Sequence, residues 1–207
     1  MDAHIVGWGH TPFGRMSESV EELVCQAAKE AISHANIDPK EIDGIWLGHY
    51  NGGLVPDGFI SSLALQVSPD LRFTPATRLE NACASGSAAV FAARNAIKAG
   101  TAKVTLVIGV EKMTAKDTKG VAESLMTASY QAEEGGITFP QVFGRYADAY
   151  FQAHGDKSEI LARIAAKNHN NSVKINKLLA AMTSNPAKIL DIKKGSLDIG
   201  NDADLCI

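Results

Sequence analysis

Long hydrophobic runs are missing from this 207-residue chain. Its apolar stretches are far too short for a transmembrane helix. The opening MDAHIVGWGH lacks a basic region followed by an apolar run, so no secretory leader is expected. An excess of one charge is also missing. The formal net charge is −3 and no basic run exceeds Lys193–Lys194. That gives no reason to expect nucleic acid or a membrane as partner. Cysteine is scarce. Cys25, Cys83 and Cys206 are odd in number and widely spaced. They make neither a disulfide framework nor a zinc site, and they fit a reducing, cytoplasmic compartment. Internal repeats and low-complexity tracts are absent as well.

What remains is an ordinary globular composition. Apolar residues make up 45% and charged residues 21%, enough for one substantial domain or part of a larger one. Residues 3–8, HIVGWG, read as a short buried strand, followed by a loop broken by Pro12 and Gly14. Residues 18–35 carry Val20, Leu23, Val24, Ala27, Ala28, Ala31 and Ile32 at helical spacing, with Ser17 or Ser19 as cap. Cys25 lies on this helix and reads as packing. Residues 43–48 look like a second strand. The loop HYNGGLVPDG has glycines but not the lysine and Ser/Thr ending of a phosphate loop. A short helix is expected at 58–67, a strand at 73–80, and a doubly apolar strand in KVTLVIGVEK at 103–112. Such strands lie inside parallel or mixed sheets with helices on both faces. Strand, helix, strand with about twenty residues between is a βαβ unit. Further helices are expected near 121–131, 140–154 and 157–170.

The stretch between those two strands, RLENACASGSAAVFAARN, raises a chemical question. From Ala82 to Ala99 the side chains are small or apolar almost all round, which predicts a helix buried on most sides. Cys83 falls at its start. Free N–H groups and the positive end of the helix dipole favour a thiolate there, and such N–H groups also stabilise an oxyanion. Strand, tight turn, nucleophile and helix form a coherent device for acyl transfer. A buried small hydrophobe is the other reading, and helix placement alone does not separate the two.

ENACASGSAA closely resembles the nucleophile segment of the thiolase superfamily, particularly sterol-carrier-protein-like thiolases and acetyl-CoA acetyltransferases. Other segments follow in the family's order. IVGWGHTPFGR resembles its opening strand and loop, and EELVCQAAKEAISHANIDPKEIDGIWLG its first helix and second strand. VTLVIGVEKMT resembles the strand after the nucleophile helix. GITFPQVFGRYADAYFQAHG and LARIAAKNHNNSV resemble its loop-domain helices. The resemblance implies an α/β, five-layered fold made of two similar halves, of which this chain holds the first: a mixed β-sheet with helices on both faces and a buried nucleophile helix. It implies a thiolase-like domain over 1–176 with its loop region at about 113–170. It implies that Cys83 attacks an acyl-CoA or 3-ketoacyl-CoA thioester and becomes acylated, with its own N–H in the oxyanion hole. Coenzyme A thioester would be the substrate, with no permanently bound cofactor. The partner implied is a second copy, packed through the apolar strand Val104–Val110, or a complementing thiolase half.

The family's remaining groups have no counterpart here. Thiolases supply a Gly-His-Pro-type histidine, a Cys-x-Gly cysteine and an Asn- or His-containing oxyanion motif from the second half. His10, His49 and His169 lack such contexts, and His4, His34 and His154 read as structural or exposed. Cys206 is followed only by Ile207. Residues 177–207 instead resemble the C-terminal end of a dihydroorotase-type amidohydrolase, a helix followed by an extended segment. That family's metal site needs an early His-x-His, which is absent, so no metal is expected. A junction near 174–180 is one expectation, a diverged thiolase continuation cut short the other. The functions to weigh are a thiolase-like acyltransferase, incomplete as this chain alone; a ketoacyl-synthase-like condensing enzyme; and a non-catalytic subunit that pairs with a thiolase-like partner.

Overall fold

Ser19 starts the first helix. Its hydroxyl accepts the Glu22 N–H at 3.2 Å, and the Glu22 carboxylate accepts the Ser19 N–H at 2.7 Å. This reciprocal capping box satisfies two otherwise unpaired donors. Helix α1 (Val20–Ala35) then buries Val20, Val24 and Ala28, and stops at Asn36, whose φ of 53° is left-handed. The computed structural model describes residues 3–171.

Three strands follow: β1 (Gly44–Gly48), β2 (Ala76–Leu79) and β3 (Thr105–Gly109). They pair in the order β2-β1-β3. Both ladders are parallel, so the described sheet is parallel rather than mixed. The register sets Ile45 beside Leu106 and Leu47 beside Ile108. All four are buried in one cluster with Val24 and Ala28 of α1 and with Ile60 and Ala64. The last two belong to a 3-10 helix, Ile60–Gln66, which is the short helix expected at 58–67. Each fully buried aliphatic side chain of this kind stabilises the fold by roughly 1.5–3 kcal/mol. Helix α2 (Ser85–Lys98) packs through Ser85, Ala89 and Ala93, residues outside that cluster. A Cβ on Gly48 would lie 2.5 Å from the Ser85 carbonyl oxygen. The helix start therefore rests directly on β1, and the sheet carries helices on both faces.

Asp43 closes the start of this βαβ unit. Its carboxylate accepts the N–H groups of Lys103 at 2.6 Å and Val104 at 3.0 Å, and its own N–H donates to the Val104 carbonyl at 2.9 Å. These bonds hold the Asp43 carboxyl below the usual aspartate range.

Three expectations need correction. Residues 3–8 form no strand. The segment lies along α1 instead, where the Trp8 N–H donates to His34 Nδ1 at 3.2 Å and the His10 N–H to the Glu30 carboxylate at 3.0 Å. Gly7 and Gly9 allow this approach, since a Cβ on either would meet α1 backbone atoms at 2.6 Å or less. Ile5, Val6 and Trp8 stay exposed, so the apolar character that suggested a strand has no sheet to enter. The nucleophile helix is also not buried all round. Only Ser85, Ala89 and Ala93 are buried, and Phe91 is exposed with the Arg94 guanidinium 5.6 Å above its ring. The small residues of α2 serve one close contact with the sheet rather than burial on every side. Finally, the helix begins at Ser85 with Ala84 as cap, so Cys83 stands on the turn before it.

Beyond β3, the helix expected at 121–131 is two pieces, α3 (Thr118–Met126) and α4 (Gln131–Glu134). Asp117 caps α3 by accepting the Gly120 N–H at 2.8 Å. The described residues divide into two units, one ending at Phe139 and the other from Pro140 onward. Helices α5 (Phe139–His154) and α6 (Ser158–Asn171) appear where helical spacing placed them. Val142 is buried, whereas Phe143, Tyr146 and Tyr150 are exposed. The thiolase-like boundary at 176, the tail at 177–207 and Cys206 lie outside the described residues.

Candidate active site

Strand β2 ends at Leu79, and the chain turns through Glu80–Ala84 into α2. Hydrogen bonds within six residues fix this turn. The Glu80 carboxylate accepts the Ala82 N–H at 2.5 Å. The Asn81 carbonyl accepts the Ala84 N–H at 2.9 Å, and the Ala82 carbonyl accepts the Ser85 N–H at 3.2 Å. Ser85, itself buried, adds its hydroxyl, which accepts the Asn81 N–H at 2.9 Å and donates to the Ala82 carbonyl at 2.7 Å. Ala82 sits at φ 47°, a left-handed conformation that costs a non-glycine residue about 1–2 kcal/mol. The strained residue immediately precedes Cys83 and turns it outward. Cys83 is exposed and its thiol is free, while its backbone forms an isolated bridge with Asn81.

Cys83 lines a cavity of about 340 Å³. Gly48 and Gly109 lie side by side in the register and both line it. With no side chains there, the ends of β1 and β3 leave room beside the thiol. This is the carboxyl end of a parallel sheet, where α/β folds place their ligands. Met113, Leu125, Ala128 and Phe139 make much of the wall apolar. Tyr50 joins wall to sheet: its hydroxyl donates to the Ser124 carbonyl at 3.0 Å and lies 2.5 Å from Thr127 Oγ1.

Several side chains here carry no obvious sequence signal. Glu111, one residue beyond Val110, lines the cavity and accepts the N–H of Tyr50 at 3.0 Å and of Asn51 at 3.2 Å. His49 is 1% exposed, with Nε2 3.4 Å from Glu111 Oε1, yet neither ring nitrogen is aligned for a hydrogen bond. Arg78 gives its guanidinium to three backbone carbonyls, those of His49, Tyr50 and Gly58. Lys112 reaches the Met16 and Glu18 carbonyls at 2.6 and 2.7 Å. The only advance hint was the segment VEKMT, whose Glu and Lys now have separate structural partners.

The other candidates stay apart from the cavity. Cys25 is half-buried on α1, its thiol 4.0 Å from the Leu63 carbonyl, and burial pushes that thiol up from its ordinary value. His4, His10, His34, His49 and His154 do not line it. No cluster of three or more metal-ligating side chains occurs among the described residues. The site thus offers an exposed thiol on a hydrogen-bonded turn beside a largely apolar chamber.

The family model for the thiolase N-terminal domain matches residues 3–180. The chain belongs to the thiolase superfamily. The acetyl-CoA acetyltransferase of Methanocaldococcus jannaschii is 37% identical over 177 residues, covering 84% of this chain and 44% of that protein. The Methanothermobacter thermautotrophicus acetyl-CoA acetyltransferase is 31% identical, covering 83% and 45%. Human sterol carrier protein 2 is 30% identical, covering 82% and 32%. Among solved structures, an acetyl-CoA acetyltransferase from Syntrophomonas wolfei superposes with a TM-score of 0.63 at 20% identity, covering 85% of this chain and 48% of that one. That likeness concerns the fold. This thiolase chain spans less than half the length of these relatives.

Proposed function

We propose that this thiolase chain carries the acyl-accepting half of a CoA-dependent acyltransferase, with Cys83 as nucleophile. In this reading the Cys83 thiolate attacks the thioester carbonyl carbon of an acyl-CoA, or the C3 keto carbon of a 3-ketoacyl-CoA. The new Sγ–C bond places negative charge on the carbonyl oxygen, and the Cys83 N–H donates to it. Collapse breaks the C–S bond of an acyl-CoA, releasing coenzyme A as a thiolate that takes a proton, or the C2–C3 bond of a 3-ketoacyl-CoA, releasing acetyl-CoA once C2 is protonated. The acyl-enzyme then awaits a second acceptor. Its base and acid are expected from a complementing half, and a cytoplasmic setting goes with the free thiols. The observation that carries this reading is Cys83, its thiol exposed on a strained turn beside a largely apolar cavity.

Incubation with acetyl-CoA followed by intact mass tests it. One acetyl group is expected on Cys83, and none on Cys83→Ala. The yield should rise when the second half of an acetyl-CoA acetyltransferase is supplied in trans. No adduct under either condition counts against the reading.

A pairing subunit is the second reading. The outer edge of β3 has no partner among the described residues, and Ile5, Val6, Trp8 and Phe91 are exposed. Unpaired strand edges and apolar patches favour association, either with a second copy or with the complementing half. Size-exclusion chromatography separates the cases, and a stable monomer weakens this reading. Among the described residues no helix is long and apolar enough to cross a membrane.

A further inference from the structure

The cavity holds a charged group that the acyl-transfer steps leave unused. Among the described residues that line it, Glu111 alone carries a formal charge at neutral pH. Its carboxylate cannot swing away freely, because it accepts the N–H groups of both Tyr50 and Asn51. Behind it stands His49, whose buried ring has no aligned hydrogen bond and lies 3.4 Å from Oε1. The neighbouring cations are engaged elsewhere. Arg78 is held by the carbonyls of His49, Tyr50 and Gly58. Lys112 is held by those of Met16 and Glu18. Neither forms an ion pair with Glu111 among the described residues.

We infer that Glu111 is a specificity-determining residue, its fixed carboxylate making the Cys83 cavity select uncharged acyl groups over acyl groups that end in a carboxylate. The inference rests on Cys83 being the acyl acceptor. An anionic acyl tail entering this chamber meets a like charge with no cation in the wall to offset it, and because Glu111 is exposed, water and salt screen part of that repulsion. A neutral acyl group pays no such penalty and has Met113, Leu125, Ala128 and Phe139 in the lining to pack against.

The test compares acylation of Cys83 by acetyl-CoA and succinyl-CoA in wild type and Glu111→Gln under the same buffer conditions. Wild type should favour acetyl by roughly tenfold or more, and Glu111→Gln should bring the two within about threefold. A second arm needs no acyl transfer. Alkylation of the Cys83-containing peptide by neutral iodoacetamide and anionic iodoacetate, each normalised to free cysteine, reads the same field. Wild type should show a preference for iodoacetamide that falls in Glu111→Gln. Added salt should shrink it in wild type, a check that does not depend on the variant folding. If neither CoA ester reacts but the alkylation contrast depends on Glu111, the charge selection stands and the acyltransfer reading falls. An equal contrast in wild type and Glu111→Gln, or one indifferent to salt, overturns the inference.

Discussion

The Ser85 hydroxyl donates to the Ala82 carbonyl at 2.7 Å across the turn that carries Cys83. The same oxygen accepts the Asn81 N–H at 2.9 Å. One buried side chain thus closes both ends of the turn. Ser85→Ala leaves a backbone donor and a backbone acceptor without this partner, and the expected loss is about 2 kcal/mol of stability. Cys83 should also alkylate at a different rate, since its turn is no longer clamped. Urea unfolding and iodoacetamide kinetics check the two effects. Stability within about 0.5 kcal/mol of wild type would show that the clamp does not matter.

Ala82 gives a prediction of opposite sign for two substitutions. At φ 47°, glycine relieves a cost of about 1–2 kcal/mol but adds unfolded-state entropy of about 0.4–1 kcal/mol. Ala82→Gly should therefore be neutral or stabilising by up to about 1.6 kcal/mol. Ala82→Val places a β-branched side chain in the left-handed region and should destabilise by about 2 kcal/mol or more. A thermal melt that ranks valine above glycine refutes the account of the turn.

Gly48 tests the contact that positions α2. A Cβ there would meet the Ser85 carbonyl oxygen at 2.5 Å and the Gly86 Cα at 2.8 Å. Both are backbone atoms and cannot rotate aside. Gly48→Ala should cost about 2–3 kcal/mol through overpacking. It should also slow Cys83 alkylation, because the helix start must lift from β1. By contrast, Gly86→Ala has no heavy atom within 4 Å of the added Cβ and should leave stability within about 1 kcal/mol, glycine-to-alanine in a helix being mildly favourable. Parallel melts of the two variants make the comparison.

Much of the βαβ frame was legible because periodicity is local. The spacing of Val20, Val24 and Ala28 and the doubly apolar VTLVIG run each follow from burial on known faces. The motif around Cys83 was legible for the same reason, as a short run of small residues after a strand. The partners of the site were not. Glu111 and His49 are 62 residues apart in sequence and come together only because β1 and β3 are paired. A lone histidine after a strand says nothing about what the neighbouring strand will bring beside it. Residues 3–8 failed for a related reason. Their apolar side chains predict a strand, but the Trp8 N–H went to His34 of α1 and the following His10 N–H to Glu30, and no pattern in the segment itself announces that choice.

Asp43 supplies a pH dependence whose sign is fixed by its partners. The N–H groups of Val104 and Lys103 hold its carboxyl below the usual aspartate range. Its proton affinity is thus lower folded than unfolded. The stability it adds is present above the unfolded value, about 4, and is lost as pH falls through the lowered folded value. Asp43→Asn keeps a carbonyl acceptor and removes the charge. Because Asp43 is exposed, the deficit at pH 7 should be modest, about 1 kcal/mol. It should narrow as pH falls below about 4, where wild type begins to take up the same proton. Urea midpoints for both proteins between roughly pH 7 and pH 3 measure it. A gap that stays constant across that range would mean that the clasp at the start of β1 and β3 depends on shape and not on charge.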